Sequence, residues 1–152
     1  MTTSALSMDA PAEVVFDTLL DVETYPQWLV GAKHIRAVDE DWPAPGSSFH
    51  HAVGAGPLTV KDRTTVLLAS PPHTLVLLAR VGPVGTAKVR FTVTPTADGS
   101  HLAIEEEPAS GPMRVFWNPL TRPLVAALLW GRNAVSLQEL RALVEDRARA
   151  RS

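Results

Sequence analysis

Three side chains in this sequence have the chemistry to move a proton and sit where strand alternation would turn them away from water: Glu106, Asp62 and His51. Glu106 is the middle residue of the run EEE in SHLAIEEEPA. In a strand it shares the phase of Leu102 and Ile104, while Glu105 and Glu107 face the other way. An ionised carboxylate on a covered face is costly unless something pairs with it, and an acid held in a cleft is a candidate general acid or base. The plainer reading puts Glu106 near a cleft mouth or against an arginine. Asp62, in LTVKDRTTVLL, shares the phase of Leu58, Val60, Thr64, Val66 and Leu68. One strand bulge would reverse that assignment. His51 follows His50, and adjacent strand residues point to opposite faces, so the two cannot hold one metal ion. His51 is in phase with Phe49 and Val53, which makes it the inward one. It reads either as a core histidine with a partner or as a polar group in a ligand cavity.

Other chemistries find little support. The chain has no cysteine, which removes disulfides, thiolate metal sites and cysteine nucleophiles together. With no His-x-x-x-His pattern either, no metal site is expected. There is no Gly-x-Ser-x-Gly elbow, and VGAGPL is not a dinucleotide-binding glycine motif because Pro57 and Leu58 follow it. No cofactor is expected. A net charge of -2 and the absence of basic–aromatic interleaving give no reason to expect nucleic acid as a partner. The N-terminal stretch MTTSALSMDAPAEVV lacks a charged region followed by an apolar one, and the longest apolar run, PLVAALLW, is far short of a membrane span. The expectation is a cytoplasmic protein with no stable membrane insertion; the oligomeric state stays open.

These residues need elements to position them. With 152 residues, 45% hydrophobic and 20% charged, the chain suits one globular domain, residues 1–152. TSALSM reads as a first strand. DAPAEVVFDTLLD reads as a helix, with Asp9 as a polar cap and Ala12, Val15, Phe16, Leu19 and Leu20 on one apolar face. In VETYPQW, Pro26 disfavours α geometry at Tyr25, so a break or a second short helix falls there. Pro/Gly-rich turns then separate six consecutive strands between His34 and Glu107, most simply antiparallel neighbours. In TAKVRFTVT the alternation is clean: Ala87, Val89, Phe91 and Val93 face one way, Lys88, Arg90, Thr92 and Thr94 the other. The sheet therefore has one covered and one wet side. After Pro123 a helix of about 25 residues is expected, with Ala126, Ala127, Trp130, Ala134, Leu137, Leu140 and Val144 as its stripe. Asn133 sits at the edge of that stripe and Trp117 precedes the helix. The terminal RARARS reads as a frayed helix end.

That element order, with APAEVVFDTLLDVETYPQW at residues 10–28, the turn APGSSF and the closing WGRNAVSLQELRALVE, resembles the SRPBCC superfamily of START-like helix-grip proteins, closest to its polyketide cyclase/dehydrase-like branch. The resemblance implies an α+β helix-grip fold. A curved seven-stranded antiparallel sheet would wrap around the long C-terminal helix, with two short helices after the first strand. It also implies a cavity between sheet and helix for an apolar small molecule such as a polyketide, lipid or isoprenoid, with Trp28, Phe91, Trp117, Trp130 and Asn133 as candidate wall residues. Binding is the leading expectation. A cyclase/aromatase-type enzyme using Glu106, Asp62 or His51 is the alternative, and a protein-interaction module is a third class. In such a fold Pro26 sets a corner, with Tyr25 and Trp28 packed beneath it.

Overall fold

The computed structural model describes residues 2–28, 32–53, 60–81, 85–110 and 122–151, with side chains described for all of these but 2, 32–34, 36, 51–53, 60–62, 81, 85, 110 and 122–133. Strand β1 (Thr2–Met8) leads into helix α1 (Ala12–Leu20), a 3-10 turn (Val22–Thr24) and the single-turn helix α2 (Tyr25–Trp28). Strands β2 (Ala32–Val38), β3 (Ser48–Val53), β4 (Val60–Ser70), β5 (Thr74–Val81), β6 (Gly85–Pro95) and β7 (Ser100–Ser110) follow, then helix α3 (Arg122–Arg151). The seven strands form one antiparallel sheet in the order β1-β7-β6-β5-β4-β3-β2. Strands β2 to β7 thus run as a meander, and β1 closes the far edge against β7. Helix α3 packs over β1 and against α1 and α2, and α1 also touches β6 and β7. This is the helix-grip arrangement expected from the sequence.

Alternation sets the faces as predicted on β6 and β7. Ala87, Phe91, Val93, Leu102 and Ile104 are buried, and Arg90, Thr94 and His101 are exposed. Leu137, Leu140 and Val144 of α3 supply the opposing wall, and with Val15, Phe16 and Leu19 of α1 they belong to one core cluster. Burying each such aliphatic side chain is worth about 1.5–3 kcal/mol.

Two turns are fixed by glycines. Gly46, in the turn before β3, has φ 89°, a region open to glycine at little cost, and its N–H donates to the Val66 carbonyl at 2.8 Å. At Gly99, between β6 and β7, a β-carbon would lie 2.2 Å from the Met8 carbonyl oxygen. That closeness lets the hairpin turn dock on the β1–α1 corner, where the Ser100 hydroxyl donates to the Ala10 carbonyl at 2.6 Å.

Local expectations fail in five places. Asp9 does not cap α1: Pro11 takes the cap position in extended geometry without a side-chain hydrogen bond, and Asp9 instead donates its backbone N–H to Glu145 of α3 at 2.8 Å. Tyr25 adopts α geometry (φ -57°, ψ -41°) although Pro26 follows, because its ring and hydroxyl are held by the contacts described below. Leu68, expected inward, is 45% exposed, because a register shift between Val66 and Leu68 flips the phase at that end of β4. Helix α3 runs 30 residues and takes Pro123 into its first turn, where a missing N–H costs nothing. Its end is not frayed: Arg147 pairs with Asp21 at 2.8 Å and Arg151 with Asp17 at 3.4 Å, so two arginines one turn apart meet Asp17 of α1 and Asp21, the residue that closes it.

Candidate functional site

The residues of VETYPQW build an aromatic cluster at the end of α1. Tyr25 meets Trp28 and Phe49 edge-on, each with ring centroids 5.0 Å apart. Trp28 reaches Phe91 of β6 at 6.5 Å, and Trp42 reaches Phe49 at 5.1 Å. Edge-to-face packing at these distances adds to the area buried.

The polar ends of the cluster are all satisfied from within. The Tyr25 hydroxyl donates to the Leu19 carbonyl at 2.6 Å, and the Trp42 indole N–H donates to the Leu20 carbonyl at 3.0 Å. These are carbonyls in the last turn of α1, which a helix leaves without internal partners. The Trp28 indole N–H donates to the Thr24 hydroxyl at 3.1 Å, and Thr24 donates to the Asp21 carbonyl at 2.7 Å. Burial, with the Asp21 carboxylate adding to it, pushes the Tyr25 phenol far above its usual range. The corner is thus a structural cap, and Trp28 and Phe91, 2% and 4% exposed, have ring surface alone to offer a ligand.

Sheet register locates the acid/base candidates. His51 and Asp62 are direct cross-strand partners on β3 and β4, in an uninterrupted register that also pairs Phe49 with Thr64. Position 51 is therefore in phase with buried Phe49, and position 62 with buried Thr64. The bulge that would have reversed Asp62 lies beyond Val66 instead.

Glu106 is elsewhere. It pairs with Val89, and the same row continues through Leu77 to Val66. Along the sheet surface it is three strand spacings, roughly 14 Å, and four residues, roughly 13 Å, from Asp62. The three candidates therefore form two groups on the sheet, His51 opposite Asp62 and Glu106 alone on β7. Glu106 is buried, 5% exposed, between half-exposed Glu105 and Glu107. On the outer face Lys88 pairs with Glu107 at 3.2 Å.

Trp130 and Asn133 fall within α3, but their side chains, like those of His51 and Asp62, lie outside the described residues, as does Trp117 altogether. Among the buried polar residues that sequence did not single out are Ser136 of α3, 1% exposed, and one on β1. Ser4 on β1 is 5% exposed, and its hydroxyl has no hydrogen-bond partner among the described residues. A serine in a short mixed strand carries no pattern that singles it out; only its phase with Leu6 and Met8 hints at it.

Depressions formed by described residues include the following two. One of about 410 Å³ lies between the start of α1 and the β6–β7 turn, lined by Asp9, Pro11, Glu13, Pro95, Thr96 and Asp98 among others. It gathers none of the candidate residues. One of about 80 Å³ is lined by Lys88, Arg90, Glu105, Glu106 and Glu107. Among the described residues no group of three or more His, Cys, Asp or Glu is placed to hold a metal ion, and no helix is long and apolar enough to cross a membrane.

Comparison with known proteins gives the frame for this geometry. Among solved structures, the chain is similar to the Zhui aromatase/cyclase from Streptomyces sp. R1128, with a TM-score of 0.71 at 14% identity, covering 99% of this chain and 96% of that one. It is similar to the di-domain ARO/CYC StfQ from the steffimycin biosynthetic pathway, with a TM-score of 0.75 at 15% identity; there it covers 96% of this chain and spans only 50% of that one. It is also similar to protein NE0264 from Nitrosomonas europaea, with a TM-score of 0.72 at 14% identity, covering 95% and 94% of the two chains. At these identities the likenesses establish the fold. No curated protein matches the sequence. A family model described as polyketide cyclase / dehydrase and lipid transport matches residues 1–145. The chain belongs to that family, in the polyketide cyclase-like branch of the SRPBCC superfamily.

Proposed function

We propose that residues 1–152 act as one START-like domain that holds an apolar, polyketide-like small molecule between the inward face of the sheet and α3. The observation that carries this reading is the composition of that face around one acid. Glu106 is buried in a neighbourhood of Val89, Leu77, Phe91 and Ile104. An apolar wall with a few polar groups is the usual make-up of a small-molecule site. Trp28 and Phe91 supply ring surface, and Trp117, Trp130 and Asn133 are the candidates for the helix side. The test is native against denaturing mass spectrometry of protein purified from its own host. A discrete mass lost on denaturation is the expected result; a protein that never retains or binds any apolar compound would sink the reading.

The buried carboxyl of Glu106 also favours a second reading, cyclisation or dehydration of a polyketide intermediate. There Glu106 takes up and returns a proton in a water-poor site, and the shape of the pocket orients the chain that reacts. His51 opposite Asp62 is the second acid/base candidate. In this reading Glu106→Gln lowers turnover far more than affinity. A carrier shows only the modest affinity loss.

A further inference from the structure

Resting on the small-molecule reading above, we propose that Ser4 and Glu106 form a polar subsite for a single hydroxyl group on an otherwise apolar ligand, a phenol or alcohol. Strands β1 and β7 pair antiparallel, with Ser4 opposite Ile104 and Thr2 opposite Glu106. Ser4 and Glu106 are therefore diagonal neighbours on the same face of adjacent strands, a spacing of roughly 7–8 Å between α-carbons that a glutamate side chain can span. Both are 5% exposed. The face is the inward one: Met8, two pairs along from Ser4 on β1, is 3% exposed, while Thr3, Ala5 and Ser7 are exposed. Helix α3 covers β1 from that side.

The second observation is the Ser4 hydroxyl itself. It is buried and without a hydrogen-bond partner among the described residues, and it is the only side-chain polar atom among them in that state. Buried hydroxyls are almost always paired, because an unpaired one loses its water without compensation. In this family of ligand-holding folds, a lone unpaired hydroxyl on the covered face has an evident use: the partner arrives with the ligand. Glu106 already interacts with a neighbouring group. A carboxylate has acceptor capacity for several donors, so this leaves room for one more.

Donor and acceptor roles select the ligand group. Ser4 can donate its O–H, and the Glu106 carboxylate can accept. A ligand hydroxyl does both in return, accepting from Ser4 and donating to Glu106. A carbonyl or ether can only accept and would leave Glu106 unused. A hydrocarbon would leave both groups unmet, and a ligand carboxylate would place like charge against Glu106.

The test uses a matched pair of probes, 2-naphthol and naphthalene, whose affinities for the whole protein are measured by equilibrium dialysis. The wild type should prefer the naphthol by roughly tenfold, the size of one net hydrogen bond to a charged group. Ser4→Ala, which removes the donor to the ligand oxygen and keeps Glu106, should cut that preference to about threefold while leaving naphthalene affinity within about twofold. Glu106→Gln, which keeps the shape and a weaker acceptor, should reduce the preference part of the way, to about threefold. Thermal unfolding supplies the readout that a merely structural role would not give: ligand-free Ser4→Ala should melt at or above the wild-type temperature, because it removes an unpaired buried group. A lower melting temperature shows that Ser4 already has a partner, such as an ordered water, and overturns the inference. Equal affinity for both probes, or a preference untouched by Ser4→Ala, also overturns it while the small-molecule reading stands. Failure of the wild type to bind either probe counts against that reading and removes the inference with it.

Discussion

Tyr25 shows how one side chain can join two elements and report on their union. Its hydroxyl closes the end of α1 through Leu19, and its ring lies between Trp28 and Phe49. Tyr25→Phe keeps the ring and leaves the Leu19 carbonyl buried without that donor, which should cost about 1–3 kcal/mol in a urea unfolding experiment. Tyr25 is the one tyrosine in the sequence, so ultraviolet absorbance of tyrosinate reads it without overlap from others. Below the ordinary phenol pKa of about 10, both folded and unfolded chains keep the proton and the contribution of Tyr25 is fully present. Above it the unfolded chain ionises while burial holds the folded phenol protonated, so stability falls as pH rises toward the raised folded value. The tyrosinate signal should therefore appear together with unfolding, and Tyr25→Phe should flatten the alkaline loss. A signal appearing at the ordinary pH in a protein that stays folded contradicts this. Pro26 argued in sequence for a corner, and a corner is there. The hydrogen bond from Tyr25 to a carbonyl six residues earlier is what no local pattern displays.

At the scale of elements, two contacts tie the first elements of the chain to later ones. The β6–β7 turn sits on the β1–α1 corner with no space at Gly99. Gly99→Ala should lower stability by about 2 kcal/mol or more, since the added carbon meets backbone that cannot swing aside. Gly46→Ala, which adds a strained φ with open space around it, should cost roughly 1–2 kcal/mol. The order of the two midpoints in denaturant checks the assignment, and a neutral Gly99→Ala refutes it. The second contact is the double ion pair of Asp17 and Asp21 with Arg151 and Arg147. These side chains are a third to a half exposed, so Asp21→Asn should cost only about 0.5 kcal/mol or less, and the effect should shrink in salt. Here the limits of sequence are physical. An amphipathic stripe and a clean strand alternation are local and visible, which is why β6, β7 and the Leu137, Leu140 and Val144 stretch of α3 were legible; Ala126, Ala127 and Trp130 of the expected stripe lie outside the described side chains. A bulge at Leu68, or a pairing between residues more than a hundred positions apart, depends on the assembled neighbours.

At the scale of the molecule, the meander with β1 closing its edge leaves one long helix to cover the inward face. Alternation alone assigns Glu106 to that face, and the structure buries it there. The same reasoning could not show that Glu106 and the His51–Asp62 pair lie in separate parts of the sheet, because strand order and stagger decide that. Ser4 was invisible for a related reason: its meaning comes from Glu106 on the neighbouring strand, about a hundred residues away in sequence. Everything proposed for this protein depends on the inward face receiving a small molecule. The most direct test of that is backbone amide chemical-shift mapping during titration with 2-naphthol. Saturable shifts should cluster at Ser4, Val89, Phe91, Ile104, Glu106 and the facing turns of α3. Shifts confined to outer-face residues such as Lys88, Arg90 and His101, or none at all, would contradict it.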